Sequence, residues 1–290
     1  MYQVEIIIPV YNDITSLSHL LKEINSIKSE KYIFLVTIID DFSDIPISKF
    51  LSLAIYENIK SIKVLRLHTN MGHQKAISIG LFDAIDGDTH LILIMDGDGE
   101  DNPNNINILL DEALVKQSVV VASRKSRYES VVFKIFYFIY RLLFVLATGL
   151  KMNFGNFSVI PRDFLNEIIN LKSCGVHYPG TILKSGVKLE YVPLNRSKRY
   201  HGSSKMNFSS LILHGFNSFV LFKQKIISRI LIFNFISILF GIFTDFTIFQ
   251  ITAFLIAFIL SNVLALFLLI MLKPKELNYK NINLSKLLLK

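Results

Sequence analysis

Apolar runs alternate with helical stripes through roughly the first 125 residues. Residues 4–10 (VEIIIPV) form a nearly unbroken apolar run, the pattern of a strand buried on both faces. Pro9 near its end removes a backbone donor, which suits a strand terminus. Tyr11-Asn12-Asp13 follows as a turn. Leu17, Leu20, Leu21 and Ile24 then recur at helical spacing, with Thr15 or Ser16 placed to cap that helix. Residues 34–39 (FLVTII), 63–67, 91–95 (LILIM) and 119–122 read as further strands. Each ends in a polar cluster. In order these are Asp40-Asp41-Phe42-Ser43-Asp44, Asn70 through Ala76, Asp96-Gly97-Asp98-Gly99-Glu100-Asp101, and Ser123-Arg124. Strands alternating with helical stretches predict βαβ units and a mostly parallel sheet, an α/β fold. Ligands in such sheets bind beyond the carboxyl ends of the strands, where every one of these clusters falls.

The later pattern is different. Residues 226–244 and 248–272 are long apolar runs separated by Thr244-Asp245-Phe246-Thr247. As helices they span roughly 28 and 37 Å, near or above the ~30 Å hydrocarbon core of a bilayer, so two transmembrane helices forming a hairpin are expected. Lys223 and Lys225 precede the pair, Arg229 stands near the start of the first run, and Lys273, Lys275 and Lys280 follow. The positive-inside rule places both ends in the cytosol. In residues 131–150, Lys134, Tyr137, Arg141 and Thr148 share one helical stripe. In residues 206–225, Asn207, Ser210, His214, Asn217 and Lys225 do the same. Both stretches read as helices lying in the membrane interface. A third span over 131–150 is disfavoured, because it would put the two halves of the soluble region on opposite sides. The expected layout is a cytosolic domain over 1–205 (donor half 1–125, acceptor half 126–205), an interfacial helix over 206–225, a membrane hairpin over 226–272, and a basic cytosolic tail over 273–290. Residues 278–290 are expected to be peripheral and helical.

Composition sharpens this. The chain is 51% hydrophobic, and the surplus sits after Lys225. The net charge of +8 admits nucleic acid, an anionic membrane surface or an anionic substrate. The apolar tail favours the last two, and aromatic interleaving is too thin for nucleic acid. A single cysteine, Cys174, excludes an internal disulfide. The first residues lack a basic stretch followed by a long apolar core, so no signal peptide is expected.

The acidic turn after the fourth strand carries the chemistry. Crowded carboxylates repel each other, and make sense around a hard divalent cation, Mg²⁺ or Mn²⁺, which takes oxygen ligands and shares its shell with substrate phosphates. An acidic surface loop is the plain alternative. Arg124, Arg199 and Lys205 are candidates for binding phosphate, the last two within the basic run 196–205 (RSKRYHGSSK).

PVYN, then D-D-x-S, N-x-G and D-x-D, in this order over residues 4–125, resemble the family-2 glycosyltransferases of GT-A fold. Residues 199–205 (RYHGSSK) are similar to the R-x-x-G-x-S-K element of the dolichol-phosphate-mannose-synthase-like branch, whose membrane-anchored members move a sugar from a nucleotide to a polyprenyl phosphate. The resemblance implies a nucleotide-sugar site of Pro9, Tyr11, Asn12, Asp40, Asp41, Lys75, Asp96 and Gly97. It implies a metal site of Asp96, Asp98 and Glu100, with Asp98, Arg124, Arg199 and Lys205 as catalytic residues. The acceptor would be met by Asn156, Ser158, Arg199 and Lys205, with His177 and Tyr178 lining the same site, and His73 would play a supporting role. Phe42 stands where the family has Gly, Asp13 where it often has Glu, and Glu100 where the polyprenyl enzymes have an amide. UDP- and GDP-sugars both stay open as donors. Family members that glycosylate a hydroxyl often carry a late acidic pair as general base. Between Asn153 and Lys205 only isolated Asp163, Glu167 and Glu190 occur. A phosphate acceptor is already ionised and needs no base, so a polyprenyl phosphate is expected. A hydroxyl acceptor, with Asp101 or Asp163 as base, is the alternative, and a non-catalytic membrane scaffold is the third reading. Membrane lipid is an expected partner, and self-association is compatible with a lone hairpin.

Overall fold

The structure is a computed structural model that describes residues 1–51, 56–124, 131–171, 173–202, 208–242, 248–271, 282 and 284–289. Two compact units divide the chain. The first comprises residues 1–129, 153–207 and 276–290, and the second residues 130–152 and 208–275.

The first unit is built on one eight-stranded sheet. In chain order its elements are β1 (Tyr2–Val10), α1 (Ile14–Ser26), β2 (Tyr32–Asp40), α2 (Ser48–Leu51), β3 (Ile59–Leu67), α3 (His73–Asp83), β4 (Leu91–Ile94), α4 (Ile106–Lys116) and β5 (Val119–Arg124). The second unit contributes α5 (Val131–Thr148), and the first resumes with β6 (Phe154–Pro161), α6 (Arg162–Ile169), α7 (Tyr178–Ser185) and β7 (Leu189–Leu194). The sheet order is β7-β5-β6-β4-β1-β2-β3-β8, where β8 is Leu284–Leu289. β1 pairs in parallel with β2 and β4, and β2 with β3; β6 runs antiparallel to both β4 and β5.

The apolar runs are the buried centre of this sheet. Val4, Ile6, Ile7 and Ile8, together with Leu91 through Met95, are all within 1% of full burial. The chain winds outward from β1 to β2 and β3, then returns to the other side of β1 as β4. That reversal splits the sheet between β1 and β4 at their carboxyl ends, the place where open α/β sheets hold ligands. α1 begins at Ile14 with Asp13 in the N-cap position, so Thr15 and Ser16 lie inside the helix rather than capping it.

Two features depart from the sequence pattern. β6 and β7 are strands that the pattern did not announce. Within the tail, residues 284–289 are a strand rather than a helix, because β8 adds antiparallel to the β3 edge from Ile62↔Leu289 to Leu67↔Leu284. Lys286 Nζ and Lys63 Nζ, on the two paired strands, both reach Asp83 at 2.5 Å. Shared neutralisation by this carboxylate favours the pairing.

The second unit holds α5, α8 (Phe208–Leu221), α9 (Lys223–Ile242) and α10 (Ile248–Met271). Tyr140 on α5 meets Ser218 on α8 at 2.8 Å, and Phe144 packs edge-on against Phe219 and Phe222. Arg229 donates to the Leu146 carbonyl at 2.6 Å, placing a cation at the negative end of α5. Ser261 of α10 donates to Asn234 of α9 at 3.1 Å, a polar pair that fixes helix register in an otherwise apolar contact. Outward faces carry Phe138, Leu142, Leu146, Ile212 and Leu213 on the shorter helices and Ile232, Phe235, Ile256 and Ile259 on the longer ones. Among the described residues one helix is long and apolar enough to cross a membrane. It is α10, whose Gln250–Phe267 stretch has a mean hydropathy of 2.1. The other expected span is not confirmed among the described residues. Lys223, Lys225 and Arg229 fall inside α9, and its described uncharged part, residues 230–242, covers about 20 Å. The expected inter-helix turn at 244–247 lies outside the described residues.

α3 sits on β1 through Gly80. A Cβ there would meet Ile7 Cγ2 at 2.5 Å and Ile39 Cδ1 at 3.2 Å, and a β-branched Cγ2 cannot turn aside without a backbone shift. Gly80→Ala should therefore lower Tm by several °C in a thermal-shift assay, because an overpacking cost of about 1–3 kcal/mol exceeds the helix-propensity gain of about 1 kcal/mol. An unchanged or raised Tm would show that α3 does not set its height by this contact.

Candidate active site

The site lies at the β1/β4 split of the first unit. β4 leaves the ladder after Met95 N donates to Ile7 O. Odd-numbered residues of β1 turn their backbone toward β4, so Pro9, which has no N–H, falls where β4 has already gone. The acidic turn folds tightly over the end of β1. A Cβ on Gly97 would lie 3.1 Å from Val10 Cγ2 and 3.4 Å from Pro9 O, so glycine permits the close approach. Gly99 has φ +85°, a left-handed conformation that costs other residues, and the Tyr200 ring fills the space its side chain would take.

A segment after β7, residues 195–202, crosses this turn. Ser197 N donates to Glu100 O at 2.9 Å and Tyr200 N to Asp98 O at 3.0 Å. Tyr200 is pinned beyond by its hydroxyl to Glu23 at 2.7 Å and by the His19 ring at 4.4 Å. These contacts deliver two guanidiniums. Arg196 pairs with Glu100. Arg199 donates to Asp98 at 3.0 Å and to Asp13 at 2.8 Å, bridging the ends of β4 and β1. Asp96 is held from the other side. Asn156 Nδ2 donates to its Oδ1 at 3.0 Å, and His73 Nε2 lies 3.1 Å from the same oxygen. Gln74 supports Asn156 and accepts from Tyr178 N at 2.5 Å.

The electrostatics follow from that arrangement. Against the cost of desolvation, the imidazole of His73 and the Asn156 amide hold Asp96 well below the usual carboxylate range. Asp96 being ionised, its neighbours titrate late. Desolvation and the Asp96 charge raise Asp98, and the same two causes push Asp101 up to about 7. Glu100 is raised chiefly by desolvation, with Arg196 opposing. Asp101 accepts from Asp96 N at 3.0 Å and lines a cleft with Asp96, Asn105, Ser123, Asn156 and Arg196. Among the described residues no three His, Cys, Asp or Glu side chains stand grouped as a ready metal cage. The donor set is nonetheless all oxygen, and several carboxylates resist ionisation for want of positive charge. It fits a hard divalent cation that shares its shell with a substrate.

The other expected residues divide into those at the site and those beneath it. Asp40 is fully buried. It accepts from Ser43 N at 2.9 Å and from Arg66 at 2.7 Å, so it braces the turn and presents nothing to a ligand. Asp41 accepts from Met71 N at 2.7 Å and Gly72 N at 2.8 Å, clamping the loop that starts α3. Asn12 interlocks with the loop after β2, donating from its N to Ser43 Oγ at 2.9 Å and accepting from Asp44 N at 2.8 Å. Ser158 is fully buried with its hydroxyl 2.6 Å from Tyr178, so it lies under the site rather than in it. His177 accepts from Gly180 N at 3.0 Å and caps α7. It and Tyr178 are interior residues, not site lining. Lys75 stands in the first turn of α3, half-buried. The Arg124 side chain and Lys205 lie outside the described residues. Sequence reasoning did not single out Arg196, Arg66 and Tyr200. The density of positive charge in residues 196–205 was the available signal for the first.

A model of glycosyl transferase family 2 matches residues 5–169. An uncharacterized glycosyltransferase of Synechocystis sp. is 27% identical over 235 residues, covering 77% of this chain and 71% of the relative. The undecaprenyl-phosphate 4-deoxy-4-formamido-L-arabinose transferase of Proteus mirabilis is 28% identical over 218 residues, covering 72% of this chain. The chain spans only 64% of that relative's length. Among solved structures, glucosyl-3-phosphoglycerate synthase from Mycobacterium tuberculosis, determined with Mn²⁺, UDP and phosphoglyceric acid, superposes with a TM-score of 0.55 over 78% of each chain at 12% identity. That likeness is one of fold.

The raised Asp101 gives a pH signature. Its folded pKa, about 7, exceeds its ordinary 3.8, so the folded state binds the extra proton between those values and stability falls as pH rises from about 4 to about 7. Asp101→Asn removes the penalty and can keep the bond from Asp96 N. In metal-free buffer it should raise Tm by several °C at pH 8 and leave it unchanged near pH 4. An equal effect at both pH values would show that the carboxylate is not held protonated.

Proposed function

The chain belongs to glycosyl transferase family 2, and from that premise we propose that it is a membrane-anchored, inverting glycosyltransferase that moves a sugar from a UDP- or GDP-sugar to a polyprenyl phosphate. The observation that carries this reading is the convergence at the β1/β4 split. A carboxylate turn, two arginines and a buttressed Asp96 meet where the fold holds a ligand.

Asp96 and Asp98, with Glu100, would hold Mg²⁺ or Mn²⁺, which supplies Lewis-acid stabilisation of a leaving nucleoside diphosphate. Arg199 and Arg196 pair with phosphate oxygens through paired N–H groups. Arg124 at the end of β5, and Lys205, add positive charge for the same anions. His73 and Asn156 fix the orientation of Asp96, and Lys75 sits where α3 begins, favouring an anion by its dipole. The acceptor phosphate attacks the anomeric carbon without a base, being ionised already. The named activity of the Proteus mirabilis relative on undecaprenyl phosphate supports the acceptor class.

The second unit supplies the membrane attachment in this reading. α9 and α10 form a two-span hairpin, the basic start of α9 snorkelling to the headgroups, and α5 and α8 lie in the interface with their apolar faces in lipid. Basic residues at both ends of the hairpin put the catalytic unit in the cytosol. A hydroxyl acceptor is the second reading, and one observation favours it. Asp101 is a carboxylate in the cleft beside Asp96, where a general base could act.

The test is turnover of a panel of UDP- and GDP-sugars by the full chain in detergent, with Mg²⁺ or Mn²⁺, with and without undecaprenyl phosphate. Lipid-dependent release of one nucleotide is expected, with a product that mild acid cleaves far faster than an ordinary glycoside. Asp98→Asn, which can still accept the Glu100 N–H, should lose about 10²-fold or more in rate with Tm preserved. Near-normal transfer by that variant in EDTA would overturn the metal-dependent mechanism. An acid-stable product would move the acceptor to a hydroxyl.

A further inference from the structure

Phe42 stands in a conformation that phenylalanine resists. Its φ is +66°, the left-handed region where a bulky non-glycine side chain is a genuine outlier. The turn around it is tied on every side. Asp41 N donates to Val10 O at 2.9 Å, Phe42 N to Asp40 O at 2.8 Å, and Ser43 N to the Asp40 carboxylate at 2.9 Å. Arg66 bonds Asp40 and, at 2.8 Å, Ser43 O. The same guanidinium lies over the Phe42 ring, its Cζ 5.6 Å from the centroid. The ring is thus backed by a cation while Phe42 stays 45% exposed, at the carboxyl end of β2. The interlocked turn after β1 carries a second aromatic, Tyr11, 40% exposed. Meanwhile Asp40 and Asp41 spend their oxygens on the protein itself. Beside these buried carboxylates a flat apolar face is displayed at a conformational cost.

We propose that Phe42 is the stacking platform for the nucleobase of the donor, which rests on the transferase reading above and adds an aromatic face to its base recognition. Arg66 fixes the height of the ring. Stacking tolerates any base, so affinity at this position comes from the π-face and not from an edge-specific hydrogen bond.

The chain contains no tryptophan, so Phe42→Trp installs a single tryptophan, excited selectively above the tyrosine band, at the platform of the full-length, detergent-solubilised protein. UDP or GDP with Mn²⁺-free Mg²⁺ buffer should quench it saturably, and pyrophosphate should not. In parallel, Phe42→Gly relieves the positive φ, and Phe42→Asn tolerates it without an aromatic ring. Both should bind UDP and GDP on the order of tenfold more weakly by calorimetry, with Tm unchanged or raised. Phe42→Tyr should bind as the native chain does. Nucleotide binding with no quench of Phe42→Trp, or undiminished affinity in Phe42→Gly and Phe42→Asn, would overturn the platform while leaving the transferase reading intact. A loss of Tm in Phe42→Gly would overturn it in favour of a packing role. Failure of the native chain to bind either nucleotide would instead overturn the transferase reading, and the platform with it.

Discussion

Five carboxylates at the ends of β1 and β4 cannot coexist without compensation, and the site is arranged around that constraint. Asp96, Asp98, Glu100 and Asp101 fall within six residues, and Asp13 faces them from the start of α1. Repulsion on this scale is tolerable only where opposite charge is brought in from elsewhere in the chain. Arg196 and Arg199 arrive from the segment after β7, His73 from α3, and an amide from Asn156 on β6. Elements far apart in sequence are thereby tied to one turn. The fold at this end of the sheet and the electrostatics of the turn are one problem with one solution.

A second principle is the division of labour among acidic residues. Asp40, Asp41, Asp96 and Asp98 all follow apolar strands, and all look alike in sequence. Asp40 and Asp41 are consumed by backbone N–H groups and Arg66. They act as fixed anionic clamps that hold two turns and the start of α3 in place. Asp96 and Asp98 keep capacity directed at the split. The first pair makes the frame rigid so that the second can be placed, since a site built from loops alone would be loose.

This division also marks the limit of what the sequence discloses. β1, β2, β4 and β5 were legible because a strand buried on both faces must be nearly continuously apolar, and the clusters after them had to fall on one edge. β6 was not, because Gly155 and Asn156 interrupt its apolar pattern. Asn156 is polar there because it must reach Asp96. β7 alternates weakly in burial. β8 reads Leu-Ser-Lys-Leu-Leu-Leu, and only its partner β3, more than two hundred residues earlier, tells it to be a strand. Ser158 was expected to meet the acceptor, yet it is buried with its hydroxyl against that of Tyr178. In the second unit, apolar length was legible. The helix boundary that draws Lys223 and Lys225 into α9, and the turning of Arg229 to the end of α5, were not. In each case the missing information is the identity of a distant partner.

The charge balance bears on the order of events at the site. Among the described residues five carboxylates face two guanidiniums and one imidazole. An anionic diphosphate approaching this surface alone meets net repulsion, whatever the +8 charge of the whole chain does to steer it at long range. In the proposed reading the donor therefore enters with compensating positive charge or after it. Arg199 is suited to that exchange because it holds two carboxylates at once, Asp13 at 2.8 Å and Asp98 at 3.0 Å. It can give up Asp98 for a phosphate oxygen and stay anchored through Asp13, so the guanidinium is retained at the site without remaining buried and unpaired. A lysine in its place would offer a point charge without the planar, paired N–H groups that let one end stay anchored while the other exchanges. The geometry of that one arginine links the stability of the ligand-free turn to its capacity to receive an anion.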